Sequence, residues 1–257
     1  MKRVCMESQF YDELAPFYHL IDPDWESSIA RQAMNLEGII CEFWGNQVRT
    51  ILDVSCGIGT QALGLAARGY ALTASDLSSR SVERAKQEAI KRGLNIEFSV
   101  ADMRQVFERY RRRFDVIIAC DNSIPHLLSD SEILVAFRQF YQSTAPGGGC
   151  LISVRDYAAM DLHGTQVKPY GIRSEGESRY LIFQVWEFRD VIYDLSMYFV
   201  KDDGNMNCKT YVMRSQYYAV TTDRLIELMT SAGYENVQRL DNRFFQPVVI
   251  GTRPSEA

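Results

Sequence analysis

An α/β fold built on a mostly parallel sheet is predicted for this chain of 257 residues, and three observations predict it. From Arg49 to Arg155, short apolar runs alternate with helical patterns. Glycines stand where those helical patterns stop. Polar residues follow the apolar runs one after another, at what would be the carboxyl ends of strands. Strands separated by helices make βαβ units, which lay strands side by side in parallel.

Taken in order, residues 50–54 are a strand and 60–68 a helix closed by Gly69. Residues 71–75 are a second strand. The helix over 78–92 opens on Ser78, carries small or apolar residues at Val82, Ala85 and Ala89, and stops before Gly93. Residues 96–100 and 114–120 are the third and fourth strands, and 129–144 a further helix. Pro146-Gly147-Gly148-Gly149 makes a tight turn into a fifth strand over 150–155. After Arg155 the pattern changes. Residues 180–189, 191–200 and 209–219 alternate polar and aromatic side chains, with turns at 189–190 and 202–205. That describes a small antiparallel sheet with no helix inside it. A helix over 222–232, opened by Thr221 or Thr222 and closed by Gly233, precedes strands over 237–240 and 245–252. The section before Arg49 reads as helical.

Composition narrows the function. A hydrophobic fraction of 46% and a charged fraction of 24% are those of a soluble globular chain. A net charge of −5 supplies no basic face for a phosphate backbone, so no nucleic-acid partner is expected. The basic cluster at 109–113 reads as a solvated loop before a strand. The opening MKRVCMESQFYDEL lacks the apolar core of a signal peptide, and no run reaches the ~20 apolar residues of a membrane helix. A cytoplasmic protein without membrane contact is expected. Cys5, Cys41, Cys56, Cys120, Cys150 and Cys208 form no C-x-x-C pair, and the histidines show no ligand spacing. Buried or partly buried free thiols and no metal site follow.

In an open α/β sheet the ligand lies beyond the carboxyl ends of the strands. Asp53, the Gly57/Gly59 turn, Asp76, Asp102 and Asp121-Asn122 all fall there. GIGTQA at 57–62 fits the dinucleotide fingerprint G-x-G-x-x-G/A. Asp53 argues for another cofactor. A carboxylate at the turn repels a pyrophosphate and favours an ammonium or sulfonium group. S-adenosylmethionine carries both cations and no phosphate. Asp76 suits ribose hydroxyls with either cofactor. Asp102 would accept from the adenine amine, and Met103 would pack on its face.

The segments DVSCGIG (53–59), SDLS (75–78), ADM (101–103), FDVIIAC (114–120) with Asp121-Asn122, and PGGG (146–149) resemble, in this order, the motifs of the class I S-adenosylmethionine-dependent methyltransferases. Ser55 stands where that pattern often has glycine, a mild departure. The resemblance implies a Rossmann-like, seven-stranded, mostly parallel sheet with helices on both faces and its last strand antiparallel. It implies a cofactor set of Asp53, Ser55, Gly57, Gly59, Asp76, Leu77, Asp102, Met103 and Asp121.

A narrower similarity concerns the acceptor. NSIPHL at 122–127, RDY at 155–157 and the antiparallel insert are similar to parts of glycine and glycine/sarcosine N-methyltransferases. That similarity implies that Asn122 accepts from a substrate amine and that Arg155 clamps a carboxylate. An amine nucleophile must arrive unprotonated, its proton going to solvent or to a neighbour such as His126, with no obligatory base named. YDELAPFYHLIDPDW at 11–25 is similar to the lid helix of such bacterial enzymes, so Tyr11, Tyr18 and Trp25 would close over the sulfonium. One domain is expected over 1–257: a helical lid (1–48), a cofactor-binding core (49–157), an antiparallel β insert (158–220) and a C-terminal return to the core (221–257). The partner expected is a small molecule, with a homo-oligomer left open. Plainer readings compete: Arg155 pairing with an acid, His126 packing beneath its loop, and Tyr193, Tyr198, Tyr211 and Tyr217 as sheet-face residues. C- or O-methylation of a quinone or natural product, and binding without catalysis, are the alternative functions.

Overall fold

The computed structural model describes residues 2–204 and 207–256, with side chains from residue 8 onward. The Cys5 side chain and part of the turn at 202–205 therefore lie outside what is described. The chain opens with α1 (Lys2–Leu14), a 3-10 turn (Tyr18–Ile21) and α2 (Trp25–Trp44). There follow β1 (Thr50–Asp53), α3 (Thr60–Ala67), β2 (Ala71–Asp76), α4 (Ser79–Lys91), β3 (Ile96–Val100) and α5 (Val106–Tyr110). Next come β4 (Phe114–Ala119), α6 (Asp130–Ser143) and β5 (Thr144–Ser153). The insert is β6 (Thr165–Glu175), β7 (Ser178–Arg189), β8 (Ile192–Asp202) and β9 (Lys209–Tyr218). The chain closes with α7 (Thr222–Ser231), β10 (Glu235–Leu240) and β11 (Val248–Thr252).

Helix starts follow side-chain chemistry. Ser78, Ser129 and Thr221 each accept from the backbone N–H three residues on, satisfying one of the free donors of α4, α6 and α7. The seven-stranded sheet runs β10-β11-β5-β4-β1-β2-β3. β1 to β5 pair in parallel, and β11 is antiparallel to both β5 and β10, as the resemblance implies. One apolar cluster joins the sheet to α6 and α7 through Ile117, Phe137, Phe140, Ile152 and Leu225. A second joins its other face to α2 and α3 through Leu36, Ile40, Ile51, Leu65 and Ile118. Burying each such side chain is worth about 1.5–3 kcal/mol, so both faces are held by many modest terms. A Cβ on Gly64 would stand 2.6 Å from the Ile29 carbonyl oxygen, so this glycine lets α3 lie directly against α2.

The insert forms a separate antiparallel sheet, β6-β7-β8-β9. Its inner face, with Tyr193, Leu195, Met197, Phe199 and Met213, packs against Phe10 and Leu14 of α1. The first helix thus lies between the insert and the start of α4, where Asp12 accepts from the Ser78 hydroxyl and from Arg80 N.

Three local expectations need correction. β6 is not foreseen; it is an edge strand whose register shifts between Pro169 and Gly171, which is where a sheet tolerates proline. PGGG is no simple turn before β5. It is an irregularity inside that strand's span: Thr144 lies opposite Phe114 and Gly149 opposite Val116, with Gly147 at φ +76. The basic cluster is partly helical, since Arg109 belongs to α5, while Arg112 and Arg113 pair with Glu97 and Glu256. Among the cysteines, Cys56, Cys120 and Cys150 are buried, Cys41 is half-buried and Cys208 is exposed.

Candidate active site

The carboxyl ends of the central strands open into a cleft, closed on its other side by Tyr11, Tyr18, Asp22 and Gln32 of the N-terminal segment. Its floor is the turn after β1. Gly57 and Gly59 have φ of +52° and +101°, values a side chain resists. Asp76, at the end of β2, fastens that turn: one carboxylate oxygen accepts from Gly57 N at 2.8 Å, the other from Ser78 N at 2.9 Å. Ser55 donates its hydroxyl to Ser123 at 2.8 Å, tying the turn to the segment after β4.

Asp53 is buried, with Oδ1 accepting from Ser55 N at 3.1 Å and Oδ2 meeting no hydrogen-bond donor of the described residues. Burial pushes its pKa up to about 7, the Ser55 hydrogen bond pulls it down, and the Asp76 carboxylate nearby raises it further. Burial likewise raises Asp76 and Asp121 above the usual carboxylate range. The cleft walls carry Asp22, Asp76 and Asp121 and, among the described residues, no lysine or arginine. That charge pattern fits a cationic ligand and opposes a pyrophosphate. It matches the ammonium and sulfonium of S-adenosylmethionine, while Asp53 itself lies buried behind the lining, its free oxygen beneath the turn.

Leu77 and Met103 lie on the cleft wall. Asp102 does not. Its carboxylate turns to Arg104, with Nη2 at 2.6 Å, and it caps the short turn at Met103–Gln105 by accepting from Arg104 N. Tyr18 reaches the cleft and donates to Asp121 at 3.3 Å. Trp25 corrects the expectation of an aromatic lid. Its indole N–H donates to Thr60 at 2.9 Å, and its ring lies 5.8 Å from the Arg84 guanidinium and 5.3 Å from that of Arg92. It pins α2 to α3 outside the cleft.

A second lobe shares Tyr11, Tyr18, Asp22, Gln32 and Asp121 with the first and continues beneath the insert. Arg155 faces it. One guanidinium nitrogen donates to the Tyr193 hydroxyl at 3.2 Å, and the group stacks 5.0 Å from the Trp186 ring and 5.7 Å from that of Tyr217. Among the described residues no carboxylate pairs with it, so the plainer reading of Arg155 is not what the fold builds.

Asn122 departs from its expected placing. Its Oδ1 accepts from Arg155 N at 3.0 Å and its Nδ2 donates to the Tyr157 hydroxyl at 2.9 Å, so the buried amide is a bracket rather than a wall of either lobe. His126 is on the wall, sharing hydrogen bonds with the Tyr11 hydroxyl (2.6 Å, Nε2) and the Ser215 hydroxyl (3.3 Å, Nδ1). Burial, aided by the positive charge of Arg155, pushes its pKa down to about 3, so it stays neutral.

Sequence reasoning missed several lining residues. Gln61 donates to Gln32 at 2.7 Å, a buried amide pair at the cleft's back. Gln184 lies between the buried Ile182 and Trp186 on the inward side of β7, and a polar residue at an inward strand position was a readable signal. Asp22, Ser123, Tyr170 and Gln246 gave no such signal. Among the described residues no helix is long and apolar enough to cross a membrane, and no group of three or more His, Cys, Asp or Glu gathers as a metal site.

Comparison with known proteins agrees with this geometry. Residues 51–148 match the model of a family described as a methyltransferase domain. A protein of Geobacillus sp. (strain WCH70) that bears the name methyltransferase is 29% identical over 198 residues, covering 74% of this chain and 76% of that one. A glycine/sarcosine N-methyltransferase of Halorhodospira halochloris is 26% identical over 141 residues, 55% of this chain and 52% of the enzyme; the chain spans about half of that relative's length. In fold alone, the chain is similar to an amino pentose methyltransferase of Micromonospora echinaspora, solved with S-adenosylmethionine bound: TM-score 0.76, 15% identity, 88% of this chain and 92% of that one. Residues 51–148 thus form a methyltransferase domain, and the chain has the Rossmann-like fold and cleft of an S-adenosylmethionine-dependent methyltransferase of class I.

Proposed function

We propose that this small-molecule methyltransferase acts on the amine of an acceptor that also carries a carboxylate, with glycine and sarcosine as named candidates. The observation that carries the reading is Arg155. A guanidinium set against Trp186 and Tyr193, with no carboxylate among the described residues in hydrogen-bonding contact and an open lobe before it, is a charge waiting for an anion. Its planar fork suits a carboxylate in two parallel hydrogen bonds. The glycine/sarcosine enzyme among the relatives supports the same acceptor class.

S-adenosylmethionine supplies a methyl group on a good leaving group, and Ser55, Gly57, Asp76, Leu77 and Met103 would hold it, with the buried Asp53 acting from beneath the turn. What remains for the protein is to align the amine, exclude water and accept a proton. Arg155 orients the acceptor by its far end. The test is a methyl-transfer screen over amino acids and simple amines, read as adenosylhomocysteine release. Carboxylate-bearing amines should be preferred, and Arg155→Lys should erase most of that preference. Equal use of amines with and without a carboxylate would overturn the reading.

A further inference from the structure

Asp121 and Asn122 are consecutive non-glycine residues in left-handed backbone, at φ +57° and +63°. Aspartate and asparagine tolerate that region, but two in succession directly after a buried strand are held there by something. Ser153 holds them: its hydroxyl accepts from Asp121 N at 2.8 Å and its carbonyl from Asn122 N at 3.0 Å. The outcome is that the two side chains part. Asn122 turns inward to Tyr157 and the Arg155 backbone, while Asp121 turns to the boundary where both lobes meet.

At that boundary the Asp121 carboxylate is lightly engaged. It accepts from the Tyr18 hydroxyl at 3.3 Å and from Gln246 Nε2 at 3.3 Å, both long. Asp22, from the N-terminal segment, and Arg155, from the end of β5, act on it through space in opposite senses, and burial favours its protonated form. Tyr11 and Gln32 also line both lobes, and neutral His126 stands on the wall of the first, hydrogen-bonded to Tyr11. A carboxylate is therefore present where the methyl donor and the acceptor must meet, with Arg155 in the acceptor lobe beyond it.

We propose that Asp121, rather than Asn122, holds the acceptor amine: its carboxylate takes a hydrogen bond from the amine N–H and then receives the proton that methylation releases. This rests on the amine-and-carboxylate reading above. The amine arrives unprotonated and its lone pair forms the C–N bond. The C–S bond breaks, with its electron pair staying on sulfur to give neutral adenosylhomocysteine. The product is first a cationic amine, and one N–H proton passes to Asp121, leaving a neutral methylated amine and a carboxylic acid. Charge and atoms balance without any further reactant.

The experiment compares wild type with Asp121→Asn, which keeps a carbonyl acceptor and tolerates left-handed backbone, and with Asp121→Gly, which relieves the backbone and removes the group. Calorimetry measures adenosylhomocysteine binding, and then binding of glycine or sarcosine to the adenosylhomocysteine-loaded protein. Steady-state rates use the best amino acid of the screen. The expected result is adenosylhomocysteine affinity within about threefold of wild type in both variants. Acceptor affinity should fall about tenfold or more in Asp121→Gly, and kcat about 10²-fold or more in Asp121→Asn, the range of a lost general base. Wild-type kcat in Asp121→Asn, or a loss confined to adenosylhomocysteine affinity, overturns the proposal. If one of those two results occurs while Arg155→Lys still erases the carboxylate preference, the proposal fails and the reading above stands. If wild type methylates no amine, both fail.

Discussion

Asn122 and Arg155 are joined twice. The amide oxygen of Asn122 accepts from Arg155 N at 3.0 Å, and its amide nitrogen reaches the same residue's guanidinium through Tyr157 (2.9 Å), Tyr193 (2.9 Å) and a last bond of 3.2 Å. The loop closes on itself, so the end of β4 and the end of β5 hold the guanidinium's direction between them.

Asn122→Ala should open that loop. It strands a buried N–H and a tyrosine hydroxyl, at a cost of about 1–3 kcal/mol for each unsatisfied group. Thermal melts should show the loss. Kinetics should show KM for the acceptor rising by about tenfold with adenosylhomocysteine affinity unchanged. A variant that loses stability while keeping acceptor KM would separate the bracket from the clamp.

Trp25→Phe removes the donor to Thr60 but keeps most of the ring over Arg84 and Arg92. The expected cost is about 1 kcal/mol of stability, with methyl-donor affinity unaltered. Weakened donor binding without loss of stability would return Trp25 to the lid.

Asp53 titrates upward on folding, to about 7, from an unfolded value near 3.9. Between those values the native state holds the proton more tightly, so stability falls as pH rises, by up to about 1.4 kcal/mol per unit, and levels off above pH ~7. Asp53→Asn removes the slope. In ligand-free melts from pH 5 to 8 the variant should gain on wild type as pH rises, while its affinity for S-adenosylmethionine drops. A constant difference in melting temperature across that range would refute the assignment.

His126 titrates the other way, to about 3 in the folded protein against about 6.5 unfolded. The stability it contributes is complete above pH ~6.5 and is lost as pH falls towards 3, because only the unfolded chain takes up the proton. His126→Gln should therefore narrow its deficit against wild type on acidification from pH 7 to 5. Denaturant titrations at those pH values decide it.

The parallel part of the fold was legible because its signals are local. A strand of four to six residues, a capping serine or threonine and a closing glycine occupy neighbouring positions, as at Ser78, Ala85 and Gly93. β6 was hidden because its pairing depends on β7, and partner contacts outweigh the propensities of Pro169 and Gly171. The site divides in the same way. That Asp53, Asp76, Asp121 and Arg155 stand at strand ends follows from the pattern. Which of two adjacent side chains faces the ligand does not, since it turns on the backbone that Ser153 imposes from another strand. Trp25 and Tyr18 likewise share one aromatic stretch, and only packing against α3 takes Trp25 out of the cleft.

Tyr11, Tyr18, Asp22 and Gln32 wall both lobes at once. Whatever order one ligand imposes on that segment is order the other no longer has to impose. The two binding equilibria are thereby linked. By reciprocity, the factor by which the donor strengthens acceptor binding equals the factor by which the acceptor strengthens donor binding.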